Sequence, residues 1–242
     1  MVILICLACT RNNSLWKIIL VCNTFNISQT IQFVVILFYY WLMHMTGAIL
    51  NNIKENCLAF TTEHLHREGF TTPVVRRPNR NFIVPLKQLE LIYMNTIEIK
   101  CEINDVFEAP IIFIMIQMFH ALVTNTHMAY HGTILEATFS VNEFCIIALW
   151  TIFQIIKVYA FASCGELLKL EANEIAQVLY NIPTDTHTVT VMTEVQHFSS
   201  VISCLSPEVT IYGFFPLDAT LLFNVIASAT TYLIILVQFD ND

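Results

Sequence analysis

Long apolar segments, separated by polar and proline-containing stretches, set the pattern of this chain. Four of them approach or exceed the ~20 residues that a helix needs to cross the hydrocarbon of a bilayer. They are residues 29–50, 106–130, 141–164 and 217–239. Because a backbone in lipid must satisfy its own hydrogen bonds, each segment is predicted to be a helix. The predicted fold class is therefore all-α, a polytopic transmembrane helical bundle.

Helical patterns continue beyond these spans. Residues 52–70 extend the first span with polar spacing, and prolines at 73, 78 and 85 then break the chain. Residues 188–205 form a further short helix that ends before Pro207. Two sets of apolar residues recur at helical spacing: Leu86, Leu89, Tyr93 and Ile97, and, beyond the third span, Leu168, Ala172, Ile175 and Leu179. Such stripes must be buried, which predicts a bundle of helical extensions outside the bilayer.

These segments divide the chain into four regions. Residues 2–9 are apolar but too short to span, so 1–28 is predicted to hold the tail of a preceding span and an extracellular loop. Residues 29–164 are predicted to be transmembrane helices with a cytoplasmic loop at 51–105. Residues 165–212 are predicted to be cytoplasmic helices, and 213–242 a C-terminal membrane helix.

Composition narrows the function. The chain has 242 residues, of which 56% are hydrophobic and 12% charged, whereas soluble domains carry about a quarter charged residues. This excludes an ordinary soluble enzyme, and we find no phosphate loop, nucleophile elbow or paired carboxylates. We therefore expect no enzymatic activity and no cofactor. The net charge of −8 argues against a nucleic-acid partner, and the eight cysteines are scattered rather than arranged as a disulfide framework.

The basic residues predict the orientation. Seven of the eleven lie in the loop 51–105, and Lys157 and Lys169 lie at or beyond the end of the third span. Because cytoplasmic loops are enriched in Lys and Arg, 51–105 and 165–212 are predicted to be cytoplasmic. Residues 10–28, 131–140 and the C-terminus then face outside. Two N-glycosylation sequons, at Asn12 and Asn26, fall on the side assigned outside. An outside C-terminus is the reverse of a G-protein-coupled receptor.

The C-terminal stretch carries the most specific pattern. Gly213 to Asp218 reads Gly-Phe-Phe-Pro-Leu-Asp, and a long apolar run follows. Thr231 and Tyr232 then precede five apolar residues and the pair Gln238 and Phe239. This arrangement resembles the seventh helix of the insect gustatory receptors, seven-helix chemosensory receptors that form ligand-gated cation channels.

The resemblance implies an assembly. In this family, long cytoplasmic extensions and a short helix before the seventh span, here 188–205, pack into an anchor domain that holds four subunits. The segment 217–239 would line the pore. The family has seven spans and this sequence shows four, so we expect a fragment, an incomplete gene model or a degenerate copy that lacks the first three helices.

Pore residues follow from the resemblance. Gln238 and Phe239 would form the constriction, where rings of apolar side chains gate by dewetting and amides partly replace ion hydration. Asp240, together with Asp242, would form an acidic outer mouth that attracts cations. The alternatives are that Gln238 marks the lipid–water interface and that the acidic tail is merely solvated. Thr231 and Tyr232 are interpreted as packing and register residues.

A candidate ligand pocket lies in the outer halves of the second and third spans. Three of its residues share a helical face at i, i+4 and i+7, and ionisable groups inside a membrane helix indicate function. The alternative is internal hydrogen bonding and interfacial anchoring. The candidate residues, to which Gln32 could add a hydrogen bond, are His120, Thr124, His127, Glu143 and Trp150.

Two other polar features receive simpler interpretations. His127 and His131 have the i, i+4 spacing of a metal pair, but no third ligand is in reach, so no metal site is predicted. Lys157 is expected to extend its stem to the headgroups from the cytoplasmic end of the third span.

The sequence thus predicts a gustatory receptor, a tastant-gated non-selective cation channel subunit in the plasma membrane. Its partners would be a small-molecule tastant, membrane lipids and the other subunits of a homo- or heterotetramer, with no G protein required. The alternatives are a truncated non-functional or accessory receptor fragment and an odorant-receptor relative. Transporters typically contain helices that are interrupted by Gly or Pro at the membrane midplane. The spans of this chain do not show that pattern, so a membrane transporter is disfavoured. The ligand class stays open.

Overall fold

A computed structural model describes residues 15–67, 85–132, 140–182, 189–205 and 207–240. Helices dominate these ranges. In chain order they are α1 (Leu15–Arg67), α2 (Leu86–Tyr130), α3 (Val141–Tyr180), α4 (Val189–Cys204) and α5 (Ala219–Asp240). Between α4 and α5, the short strands β1 (Thr210–Ile211) and β2 (Phe215–Pro216) form a two-stranded hairpin.

In the described residues, four helical segments are long and apolar enough to cross a membrane. They are Ile27–Thr61, Leu86–Tyr130, Val141–Tyr180 and Ala219–Gln238. The predicted fold class, an all-α polytopic helical bundle, is confirmed.

The chain divides into two compact units. The span unit comprises Met1–Tyr40, Phe107–Ser163 and Ile211–Asp242, and the extension unit comprises Trp41–Val106 and Cys164–Thr210. The extension unit therefore gathers the helical continuations that the sequence predicts beyond the apolar spans.

The core of the extension unit is built from the predicted stripes. All eight apolar residues of the two stripes are buried. The rings of Tyr93 and Phe198 meet edge to face at 5.8 Å, which ties α2 to α4. Lys54 on α1 bridges two carboxylates of α3, Glu171 at 2.8 Å and Glu174 at 2.7 Å.

Helices α1 and α3 approach each other closely at a glycine. A Cβ added to Gly47 would lie 3.0 Å from the Cδ2 atom of Leu167. Any larger residue would push the Leu167 side chain aside, since this separation is shorter than ordinary van der Waals contact. The helices of the extension unit are thus packed closely at this point.

One face of α2 holds the chain that connects α4 to α5. Its side chains contact backbone groups in order along that connection. Tyr93 Oη donates to Leu205 O at 3.3 Å, Lys100 Nζ to Glu208 O at 2.9 Å, and Asn104 Nδ2 to Thr210 O at 2.8 Å. Glu108 Oε1 then accepts from Tyr212 N at 3.0 Å. We call these four α2 residues the polar ladder.

The hairpin turn explains part of the Gly213 to Asp218 pattern. Phe214 N donates to Ile211 O at 2.9 Å, and the two central residues have positive φ, 48° at Tyr212 and 68° at Gly213. Turns with positive φ at both central positions suit hairpins, and glycine adopts this conformation without steric cost. The glycine is therefore a requirement of the turn.

The N-terminal boundary differs from the prediction. Helix α1 begins at Leu15, so residues 15–28 are helical rather than part of an extracellular loop. The apolar residues between 15 and 22 continue the helical pattern of the span into this stretch. Asn26 consequently lies in a helix instead of the surface loop that glycosylation favours, and its sequon no longer supports the outside assignment. Residues 2–9 and the sequon at Asn12 lie outside the described residues.

Candidate functional site

Helix α5 has two distinct faces. Leu222, Val225, Ala229, Leu233 and Leu236 recur every three or four residues and are half-buried. At 100° per residue, the opposite face carries four exposed polar residues, which we call the polar stripe: Thr220, Asn224, Thr231 and Gln238.

Most of the α5 surface is uncovered. Only 6% of its most apolar stretch is buried, against 22% to 44% in the other three spans. Large apolar side chains such as Phe223 and Ile234 are exposed beside the polar stripe. A surface of this kind must meet lipid or another protein chain, because water does not favour so much apolar area.

The motif residues Thr231 and Tyr232 have different surroundings. Thr231 Oγ1 donates to Ala227 O at 2.9 Å within α5. The ring of Tyr232 lies edge to face against Phe119 of α2, with centroids 6.4 Å apart. Tyr232 therefore packs α5 against α2, while the hydrogen bond of Thr231 is made within its own helix.

The predicted pore residues lie at the end of α5. Gln238 is exposed on the polar stripe. The backbone of α5 extends to Asp240, but the side chains of Phe239 and Asp240, and all of Asp242, lie outside the described residues. The constriction and the acidic mouth stay predictions.

The candidate ligand residues are placed on two helices. His120 and Thr124 are exposed on α2 and His127 is half-buried there, whereas Glu143 and Trp150 are half-buried on α3. Among the described side chains, no hydrogen bond or ring contact joins His120 or Thr124 to the two α3 residues. Hydrogen bonds and ring contacts therefore do not join the five described residues into one cluster, and the ligand role stays a prediction.

Glu143 has a local partner. Its Oε2 accepts from Ser140 N at 3.1 Å and from Ser140 Oγ at 3.2 Å, and Glu143 N donates back to Ser140 Oγ at 3.3 Å. This reciprocal pair is a capping box, which satisfies backbone N–H groups at the start of a helix. In this structure, Glu143 therefore helps to cap the N-terminus of α3.

The two histidines considered as a metal pair lie close together. The ring centroids of His127 and His131 are 6.2 Å apart. Within the part of the chain that the structure describes, no group of three or more His, Cys, Asp or Glu residues could hold a metal ion.

A buried polar cluster in the span unit differs from its predicted role. Lys157 is only 2% exposed. Its Nζ donates to Gln29 Oε1 at 2.6 Å and to Gln32 Oε1 at 3.3 Å, both on α1. The expectation that Lys157 reaches the headgroups is wrong, because these two amide oxygens hold the ammonium inside the unit.

Aromatic and polar side chains surround this ammonium. Its Nζ lies 4.8 Å from the centroid of the Phe153 ring. That ring packs against Phe33 at 6.4 Å and Trp150 at 5.7 Å. One turn before Lys157, Gln154 is 0% exposed and neither polar atom of its side chain has a hydrogen-bond partner. We call Gln29, Gln32, Gln154 and Lys157 the lysine cluster.

Sequence reasoning missed this cluster, although a signal existed. Gln29 and Gln32 are three residues apart, as are Gln154 and Lys157, so each pair shares a helical face. Two polar pairs in two apolar spans are candidates for mutual contact. The spacing does not reveal which helices are neighbours, which decides the pairing.

Comparison with known proteins identifies the family of this chain. The family model described as "7tm Chemosensory receptor" matches residues 1–241. The chain belongs to the 7tm chemosensory receptor family. It is also 26% identical over 156 residues to "Gustatory receptor 68a" of Drosophila melanogaster. This match covers 60% of the chain and 40% of that receptor. The resemblance to the insect gustatory receptors is confirmed.

Family membership and the four apolar helices together define this 7tm chemosensory receptor as a multi-pass membrane protein. A chemoreceptor of this family is expected to recognise a small molecule. The chain spans less than half the length of the gustatory receptor it matches, so the activity and partners of a whole receptor are matters for proposal.

Proposed function

We propose that this chain is a subunit of a tastant-gated, non-selective cation channel, assembled as a tetramer in the plasma membrane with its C-terminus outside. The observation that carries the proposal is the polar stripe on the exposed face of α5. The name of the matched relative, a gustatory receptor, supports a tastant as the stimulus. The activity needs no enzymatic step, cofactor or G protein.

The polar stripe favours a water-filled environment. Thr220, Asn224, Thr231 and Gln238 lie on the side of α5 away from its half-buried face. Polar side chains within membrane helices face protein or water-filled cavities rather than lipid. In a closed ring of identical subunits, equivalent stripes would meet around one axis and line an ion path.

The same face suggests where the path closes. Ile235 is exposed between Thr231 and Gln238 on this side of α5. A ring of such side chains forms an apolar constriction that excludes water when narrow. Gln238 at the outer end would supply amide oxygens to partly dehydrated cations.

Gating requires a ligand that binds the open state better than the closed one. Phe119, whose ring contacts Tyr232, directly precedes the candidate ligand residue His120 on α2. A ligand that displaces α2 near His120 would therefore alter a contact made by the pore helix. This contact provides a short physical route from a ligand site to α5.

Cysteine substitution tests the pore assignment. Asn224→Cys and Gln238→Cys on the polar stripe should react with an external charged thiol reagent and change the basal or tastant-evoked cation current. Leu233→Cys on the half-buried face is the matched control and should leave current unchanged. Equal effects at Leu233 and Asn224, or none at either stripe position, would remove α5 from the ion path.

Subunit counting tests the assembly. Single-molecule photobleaching of a fluorescent fusion should give four steps per complex. Dimers, or single subunits, would contradict the tetramer. Current that appears only when a longer gustatory receptor is co-expressed would instead identify this chain as an accessory subunit.

A further inference from the structure

The ammonium of Lys157 makes two hydrogen bonds and lies over the Phe153 ring. An ammonium carries three N–H donors, and Gln29 and Gln32 accept two hydrogen bonds from this one. Both acceptors are neutral amides, so they orient the charge without neutralising it. Among the described residues, Lys157 makes no salt bridge and has no further acceptor.

The span unit offers little negative charge to compensate. The first acidic residue of the chain is Glu55, so the part of α1 that lies in this unit contributes none. The described carboxylates of the unit have other contacts: Glu108 accepts from Tyr212 N, Glu143 caps α3, and Asp218 accepts from Thr220 N. Burying an unneutralised ammonium is costly, so burial favours either release of its proton or an anionic partner from outside.

Gln154 adds a second unpartnered polar group to this site. Its side chain is completely buried, and its amide Nε2 and Oε1 both lack hydrogen-bond partners. Buried polar atoms are nearly always hydrogen-bonded, so the Gln154 amide is available to a group that can reach it. Gln154 and Lys157 lie three residues apart on one face of α3, so a single ligand group can accept from both.

The neighbouring rings define the rest of the ligand. Phe153 lies beside the ammonium, and Phe33 and Trp150 pack against Phe153. Aromatic side chains offer large apolar contact area. An anion with an apolar body suits this combination better than a small hydrated ion.

We propose that the lysine cluster binds an organic carboxylate, whose oxygens accept from Lys157 and Gln154 while its apolar body contacts the ring of Phe153. If this compound is the stimulus of the channel, the inference names the ligand class of the proposed function. The binding itself does not depend on conduction. Charge-assisted hydrogen bonds are the strongest class available to a carboxylate, so they dominate recognition at this site.

Direct binding to the full chain in phosphatidylcholine nanodiscs tests the assignment. The probe is fluorine-labelled hexanoate observed by fluorine NMR, and hexanol of the same chain length is the neutral control. Hexanoate should bind saturably and at least about tenfold more tightly than hexanol, because a charged partner contributes on the order of this factor or more. Equal binding of the two compounds would overturn the proposal.

Variants locate the site. Lys157→Met and Gln154→Leu should each weaken hexanoate binding by about tenfold or more, whereas Lys157→Arg, which keeps the charge, should bind hexanoate more tightly than Lys157→Met does. Gln177→Leu, at an exposed position of α3, is the matched control and should bind normally. If Lys157→Met does not fold, Gln154→Leu and the hexanoate–hexanol comparison still decide the matter. Undiminished binding to Gln154→Leu would refute the site.

Two further outcomes separate the alternatives. Displacement of hexanoate by an equal concentration of chloride would show a halide site and would refute the carboxylate assignment. Carboxylate binding without any ligand-evoked current would contradict the channel proposal alone. Tastant-evoked current from a chain that does not bind hexanoate would contradict this inference alone.

Discussion

Two different roles can be assigned to Glu143, and its hydrogen bonds bear on one of them. A carboxylate near the outer end of a membrane span is a candidate ligand contact. In the structure, its Oε2 accepts from both the backbone N and the Oγ of Ser140, the residue that precedes α3. The capping contribution depends on hydrogen-bond acceptance, whereas binding of a cationic ligand would depend on charge. The two roles therefore respond differently to substitution.

Replacing Glu143 separates these roles. Glu143→Ala should lower the free energy of unfolding by about 1 kcal/mol, since it removes one half of a capping box. Glu143→Gln should keep most of that stability, because a glutamine side chain also accepts from the N-cap residue. Thermal unfolding in nanodiscs gives the stability, and hydrogen exchange at the first turn of α3 locates the change. A Gln variant as unstable as the Ala variant would contradict the capping assignment.

At the scale of helices, spacing predicts what is buried but not what it touches. The stripes that begin at Leu86 and Leu168 were predictable because the 3.6-residue period brings their members to one face, and that face is buried. The polar ladder was not predictable in the same way. Its acceptors and donors are backbone groups more than a hundred positions away, for example 106 between Asn104 and Thr210. Backbone groups carry no sequence signal.

The same limit applies to the site. The terminal motif, with Gln238 and Tyr232, is visible in the sequence because its spacing is local. The lysine cluster is not, because Lys157 and Gln29 are 128 positions apart and only the pairing of α1 with α3 reveals their contact. The first span was predicted to begin at residue 29, whereas α1 begins at Leu15 and continues through the polar residues between 23 and 28.

The polar ladder is predicted to hold the connection between α4 and α5 in place. Asn104 is buried and donates to Thr210 O at the beginning of the hairpin. Asn104→Ala should leave that carbonyl without its donor at a cost of about 1 kcal/mol, and amide exchange within residues 205–212 should accelerate about fivefold. Asn95→Ala, at an exposed position on the same helix, is the matched control. Equal exchange in the two variants would show that the ladder does not hold the connection.

Orientation is a property of the whole molecule, because inverting the chain in the membrane would move every site to the opposite side. Seven of the eleven basic residues lie between positions 51 and 105, and basic loops stay in the cytoplasm. Helices α2, α3 and α5 are each apolar enough to cross once after that loop. Three crossings from a cytoplasmic loop would place the C-terminus outside, together with the outer end of the polar stripe, as we propose.

An epitope tag at the C-terminus should therefore be accessible to antibody on intact cells. A second tag, inserted between positions 79 and 80 in the basic loop 51–105, should stain only after permeabilisation. The paired tags report opposite sides of one membrane. Poor delivery to the cell surface would make both tags visible only after permeabilisation, so it cannot be mistaken for the opposite orientation. The opposite staining pattern would place Gln238 at the cytoplasmic end of α5. The constriction and any acidic mouth formed by Asp240 would then lie where cations leave the channel rather than where they enter it.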